Sequence, residues 1–320
     1  MLLSFVVPAY NVEKYFLRCI NSIYDQNLQA ADFEVVVMDD GSTDGTGILA
    51  EELKRSNKYS NLNVIHQENQ GLSGARNAGI NHAKGDYIWC IDSDDYLKPF
   101  DIDEIIKSLK KVIPDILFIE LQKTNGEGGI KKECSQPLEK NKLYTGFEAI
   151  LGGYYPCSAC SAIIRREFIQ ANKLSFYPRL YHEDVEFMYR AVALANKVIF
   201  TDYAPYVYEV HPNTIMTDMD ERKVIKRLAD NAIIANSLNS FAHIIKDEKV
   251  KKRIIEQSRS IAMGTINELR TNKNLNENIK NNVVNKFREL NFFPLKTPSW
   301  TVKRVALSLI LNLQFAKYGK

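Results

Sequence analysis

The sequence predicts an α/β protein: a doubly wound, mostly parallel sheet, followed by a C-terminal helical region. Three observations predict it. Short apolar runs alternate with helical periodicity through the first hundred residues. Those runs are apolar along their length, as in strands covered by helices on both faces. After about residue 220 strand signals vanish and long helical stretches take over.

Each element follows from its residues. Leu3 to Val7 is the first strand, and Pro8-Ala9-Tyr10-Asn11 turns out of it. Val12, Phe16, Cys19, Ile20 and Ile23 recur at helical spacing. Phe33 to Met38 is a second strand ending in Asp39-Asp40-Gly41-Ser42, and Asp44 begins a helix containing Ile48, Leu49 and Leu53. Leu62 to Ile65 is a third strand, and a Gly-containing loop from Asn69 to Gly74 leads into the helix of Arg76. Tyr87 to Ile91 is a fourth strand that stops at Asp92. Ile102 to Val112 reads as helix, Ile116 to Leu121 as strand, and the polar stretch Lys123 to Lys142 as a loop or hairpin excursion. Cys157 to Ile164 is a further expected strand, Glu183 to Ala195 a helix, and Val198 to Phe200 and Tyr206 to Val210 are strands. The domain reading is residues 1–219 for the sheet domain and 220–320 for a basic helical region.

Charge divides the chain in the same place. The net charge of +3 is the sum of −9 over residues 1–220, which hold 22 Lys and Arg against 31 Asp and Glu, and +12 over residues 221–320, which hold 20 against 8. A basic region of this kind suits nucleic acid, an anionic membrane surface or a plain solvated face. Nucleic acid is not an expected partner. Within this region residues 300–318 form an apolar run with aromatics at its ends and Lys and Arg at its flanks. It is too short to span a bilayer and has the pattern of a helix lying in the membrane interface. The competing expectation is that it packs on protein, either the catalytic domain or a second subunit in a homo-oligomer.

The start, Met1-Leu2-Leu3-Ser4-Phe5-Val6-Val7-Pro8, lacks the basic n-region and apolar length of a signal peptide. The five cysteines, an odd number, argue against a disulfide framework. Cys157-Ser158-Ala159-Cys160 is read as two thiols rather than half of a zinc site, since no second pair completes it. Both points fit the cytoplasm, with the inner face of the membrane as an expected station.

Ligands of open parallel sheets bind beyond the carboxyl ends of the strands. Three strands end there in polar residues: Tyr10-Asn11, Asp39-Asp40 and Asp92-Ser93-Asp94-Asp95. Three carboxylates in four residues repel one another unless a cation lies nearby. Mg²⁺ and Mn²⁺ take such oxygens together with substrate phosphates. The bland alternative is an acidic turn capping the following helix. Likewise His182-Glu183-Asp184 is either a helix cap or a general base with its orienting neighbour. The chain has no G-x-G-x-x-G after its first strand, no P-loop and no G-x-S-x-G elbow.

Pro8-Ala9-Tyr10-Asn11, Asp39 to Thr46, Gly71 to Gly79, Gly85-Asp86-Tyr87 and Asp92-Ser93-Asp94-Asp95 resemble, in order and spacing, the motifs of bacterial family 2 glycosyltransferases. The resemblance is close over residues 2–100 and looser to about 215. It implies a glycosyltransferase A-type nucleotide-binding fold and inverting, metal-dependent transfer from a nucleoside-diphosphate sugar, a UDP-sugar first, to a saccharide or lipid-linked acceptor. Cell-surface polysaccharide synthesis is the implied setting. Pro8, Tyr10, Asp40, Arg76, Asp92 and Glu183 are then the expected substrate-binding set. Tyr10 resembles the residue packed on the nucleobase, Asp40 the one at its ring edge, Arg76 a nucleotide or diphosphate contact, and Asp92 the ribose or metal-side carboxylate. Asp94 resembles the Mn²⁺ or Mg²⁺ ligand, with Asp95 a second. Asp184 resembles the catalytic base. Tyr208 to Thr217 resembles a segment closing over the diphosphate; the family often has Arg there, and here His211 stands as a phosphate or metal contact. Cys157 to Ala162 departs from the aromatic and Lys that many relatives carry, so no acceptor residues are carried over. A sugar-phosphate nucleotidyltransferase would need a Gly-rich, Arg-bearing loop where Pro8 to Asn11 stand. A nucleotide-sugar-binding protein without turnover is the rival from another class.

Overall fold

The computed structural model describes residues 1–99, 102–124, 129, 131–211, 220–299 and 301–318. The first part holds β1 (Leu3–Ala9), α1 (Glu13–Tyr24), β2 (Phe33–Asp39), α2 (Thr46–Arg55), β3 (Leu62–His66), α3 (Gly71–His82), β4 (Tyr87–Cys90), β5 (Tyr96–Leu97) and α4 (Asp103–Val112). Next come β6 (Ile116–Phe118), β7 (Leu121–Thr124), β8 (Lys131–Cys134), β9 (Leu143–Tyr144), α5 (Gly146–Leu151), β10 (Ala162–Arg165) and α6 (Arg166–Ala171). The chain continues with α7 (Glu183–Leu194), β11 (Val198–Phe200), β12 (Tyr206–Glu209), α8 (Glu221–Ala242), α9 (Glu248–Thr271), α10 (Glu277–Glu289) and α11 (Val302–Gln314). Two compact units result: Met1–Arg179 with Phe187–His211, and Leu180–Glu186 with Pro212–Lys320.

In the first unit an eight-stranded sheet has the order β3-β2-β1-β4-β10-β6-β11-β9. The strands β3, β2, β1 and β4 are parallel neighbours, so their carboxyl ends share one edge. Alternate side chains of β1 face opposite ways. Leu3, Phe5 and Val7 join Phe16, Ile20 and Ile23 of α1 and Ala50 of α2 in one core. On the other face Val6 meets α3, where a Cβ on Gly79 would stand 2.4 Å from Val6 Cγ1. Only glycine allows that approach, which explains Gly79 inside a helix. Pro8 sits in a central strand at no cost to the ladder. The last bond on the β4 side is Ile91 N–H to Val6 O, and Pro8 lies beyond it.

The structure corrects three sequence expectations. The run Ile116 to Leu121 is not one strand: it divides after Phe118, and β7 joins a second sheet of order β5-β12-β7-β8. The expected strand from Cys157 is shortened to β10, because Ser158 caps a turn of 3₁₀ helix at Ala159–Ser161. β10 runs antiparallel to both β4 and β6. Third, Cys157 is not a thiol. It forms a disulfide with Cys134, 23 residues earlier, while Cys19, Cys90 and Cys160 are free and buried. The partner lies at the end of β8, which the β7–β8 hairpin folds back.

The second unit is helical. Asp220, Asp247 and Asn276 cap α8, α9 and α10 through side-chain bonds to backbone N–H groups of the first turns. Val224, Leu228, Ile266, Val283, Phe287, Leu311 and Phe315 form its core. Among the described residues no helix is long and apolar enough to cross a membrane.

Candidate functional site

Parallel pairing sets Ala9 beside Asp39 and Val6 beside Cys90. Tyr10, Asp40 and the turn Asp92 to Asp95 therefore leave the sheet at one edge. Tyr10 is 49% exposed there, free to offer its ring to a flat ligand.

Asp40 is buried and organises the start of α3. Its Oδ1 accepts Gln67 Nε2–H at 2.6 Å and Gln70 N–H at 2.8 Å, and Oδ2 accepts Gly71 N–H at 2.8 Å. A contact to a nucleobase would have to use the lone pairs these three donors leave. From α3, Arg76 Nη2 donates to Asp92 Oδ1 at 2.8 Å, and its guanidinium lies over the Phe176 ring at 5.3 Å. That side chain is 1% exposed, so this is a buried cation set on one carboxylate of the acidic turn.

The other two carboxylates differ. Asp95 is buried and takes Tyr206 O–H on Oδ2 at 2.5 Å and Glu209 N–H on Oδ1 at 2.9 Å. It joins the turn to β12. Burial, then the neighbouring Asp92 and Asp94, pushes its carboxyl well above the usual range. Burial and Asp92 also push Asp94 up. Nearby positive charge is what would relieve this.

Two residues that sequence reasoning missed hold β12 to the turn. Arg18 of α1 pairs with Glu209, donates from Nη2 to Asp94 O at 2.9 Å and covers the Tyr96 ring at 4.6 Å. Tyr15, one turn earlier, stacks on His211 with ring centroids 4.0 Å apart. His211 Nε2 lies 3.5 Å from Asp94 O. The structure thus brings Arg76, Asp92, Asp94 and His211 to one turn. Residues 212–217 of the expected closing segment lie outside the described residues.

Glu183 and Asp184 belong to the second unit and open α7. His182 precedes them in the left-handed region, at φ 59°. Glu183 is buried and Asp184 half-buried, both in the first turn, where the helix dipole favours the ionised carboxylate. Burial and Arg227 lower His182's pKa, while Asp184 opposes them.

Among the described residues no three His, Cys, Asp or Glu side chains converge as a metal cage. The donor set fits a different arrangement. Mg²⁺ and Mn²⁺ are commonly held by one or two protein groups plus substrate phosphates and water. Asp94 offers a hard oxygen, and His211 stands at the same turn.

A family model described as glycosyl transferase family 2 matches residues 4–172. EpsH of Bacillus subtilis (strain 168), a protein that carries a glycosyltransferase name, is 32% identical over 223 residues, which cover 67% of this chain and 62% of that one. The chain thus spans less than two thirds of that relative's length. Among solved structures, Staphylococcus aureus TarS 1–349 in complex with UDP-GlcNAc matches with a TM-score of 0.75 at 23% identity, over 98% of this chain and 89% of that one. The mannosyltransferase PcManGT of Pyrobaculum calidifontis, in complex with GDP-Man and Mn²⁺, matches with a TM-score of 0.56 at 17% identity, over 97% and 86%. At these identities the two structures speak for the fold.

Proposed function

The chain belongs to glycosyl transferase family 2, and on that premise we propose that it transfers a sugar from a nucleoside-diphosphate sugar to a hydroxyl of a saccharide or lipid-linked acceptor, with inversion. The observation that carries this reading is the division of labour in the acidic turn. Arg76 occupies Asp92, Tyr206 and Glu209 occupy Asp95, and Asp94 is left to meet a cation. UDP-sugars are the first donors to test, since TarS is a complex with UDP-GlcNAc.

In this reading Tyr10 packs on the base and Pro8 shapes the backbone beneath it. Asp40 fixes the turn at the base edge. Arg76 holds Asp92 on the ribose side. Asp94 and His211 hold Mn²⁺ or Mg²⁺, which when bound offsets the charge developing on the leaving diphosphate. Asp184 accepts the proton of the acceptor hydroxyl as that oxygen attacks the anomeric carbon, and Glu183 supports it. The bond to the diphosphate breaks as the new glycosidic bond forms. Residues 300–318 serve as a peripheral contact with the inner face of the membrane, where cell-surface polysaccharides are built.

The test is a donor screen read by release of the nucleoside diphosphate, with varied acceptors present and absent. Acceptor-stimulated release supports transfer. Tight donor binding with no release under any acceptor overturns it in favour of a binding protein.

A further inference from the structure

Helix α11 lacks the single buried apolar stripe and wet polar face of an ordinary surface helix. Its polar side chains Ser308 and Asn312 face inward. Ser308 Oγ donates to Leu295 O at 2.8 Å, Asn312 Nδ2 donates to the same oxygen at 3.1 Å, and Leu295 N–H donates to Asn312 Oδ1 at 2.7 Å. Leu311 packs inward beside them, and Phe315 follows just past the helix end. These bonds fix which face looks out. The outward face carries Val302, Ala306, Leu309, Ile310 and Leu313, at helical spacing on one side. Val302 is 86% exposed, Leu313 79%, Leu309 60% and Ile310 50%. A helix that is apolar on both sides needs two apolar surroundings, and the second unit supplies one.

Charge selects the second. From Leu290 to Lys320 the sequence holds five basic residues and no acidic one. Lys303 and Arg304 stand in the first turn of α11 and are exposed, and Lys317 lies just past its end. Lys317 is 4.0 Å from Glu277, which offsets part of the charge at that end. Two copies joined through this face would set like charges against each other, with no acid of this segment to pair them. An anionic bilayer meets both demands: its headgroups attract the Lys and Arg side chains, and its acyl boundary takes the leucines. From Val302 to Leu313 the stripe is about 17 Å long at 1.5 Å per residue, too short to span the hydrocarbon. It lies along the surface.

We propose that the outward stripe Val302, Ala306, Leu309, Ile310 and Leu313, with Lys303 at its edge, is a docking face for an anionic lipid surface. This deepens the membrane-side placement of residues 300–318 and does not depend on sugar transfer. The full chain is sedimented with vesicles of phosphatidylglycerol and phosphatidylcholine, and with phosphatidylcholine alone, at low and high salt. The expected result is binding to the anionic vesicles that salt weakens. Leu309→Glu with Leu313→Glu should lower the partition by about tenfold or more, with melting temperature and elution volume unchanged. Ile244→Glu, at another exposed apolar position of the same unit, should bind as the parent does. If the parent binds anionic vesicles and the double variant binds equally, residues 300–318 keep their membrane placement but this face is not the contact. If the parent binds no vesicle, both fall. If the double variant turns a dimer into a monomer and leaves vesicle binding unchanged, the face belongs to a second copy.

Discussion

Arg76 and Asp92 form an ion pair that ties the acidic turn to the core: Nη2 to Oδ1 is 2.8 Å, with the arginine side chain 1% exposed and the aspartate 28%. Removing one partner of a buried charge is costly. Asp92 therefore binds the turn to α3 whether or not a donor is present.

Removing Asp92's carboxylate should for that reason cost stability as well as activity. Asp92→Ala leaves the guanidinium buried without this partner, and the expected loss is about 2–4 kcal/mol. Arg76→Met removes the buried charge while filling similar space, and it should cost less. Urea midpoints at unchanged m-value are the measure. Equal stability of Asp92→Ala and the parent would show that the pair holds nothing.

Asp94 calls for the opposite behaviour. Its carboxyl is already pushed up by burial and Asp92, so Asp94→Ala should leave the unfolding midpoint unchanged or raise it slightly. Turnover and the metal-dependent part of donor affinity should vanish together. Chelator should reproduce the loss in the parent, and added Mn²⁺ or Mg²⁺ should restore it. Full turnover in excess chelator sinks the metal assignment.

Asp184→Asn keeps shape and helix position and removes the base. Donor binding should persist within a few-fold, while transfer falls by about 10³-fold. Isothermal titration and product assays separate the two. If Glu183→Gln is the inactive variant and Asp184→Asn turns over normally, the two roles are exchanged.

The sheet edge was legible because local patterns decide it. Apolar strands ending in Tyr10, Asp39-Asp40 and Asp92 can only be parallel neighbours if helices intervene. What the sequence hid depends on distant partners. Arg18 reads as a solvated helix residue, yet it meets Glu209, 191 positions away. Tyr15 likewise has nothing nearby to foretell His211. Cys157 reads as a free thiol, yet it pairs with Cys134 because a hairpin folds back. Asp40 is the subtler case. Its type and place were readable, but its bonds to the first turn of α3 follow from the loop's path, which composition does not encode.

The last prediction concerns pH. His66 ends β3 with Nδ1 2.7 Å from Asp39 Oδ2 and Nε2 3.2 Å from Glu51 Oε1. The bond to Asp39, against burial and with help from Glu51, raises the histidine above its ordinary value of 6.5. Burial pushes Asp39 up, but bonds from Ser42 and His66 outweigh it and hold the carboxyl low. The folded histidine thus binds its proton more tightly than the unfolded one. Its contribution is fully present below about pH 6.5 and is lost as pH rises through the raised value. Asp39's contribution runs the other way, present above about pH 4 and lost as pH falls. The link is therefore strongest between about pH 4 and 6.5. His66 is 48% exposed, so solvent screening limits the effect to under about 1 kcal/mol. Urea midpoints of the parent and His66→Gln, taken at about pH 6 and pH 8.5, read it by difference. The parent should lose its advantage over the variant at the higher pH. A constant difference between the two proteins at both values would mean that His66 does not carry its proton into this contact.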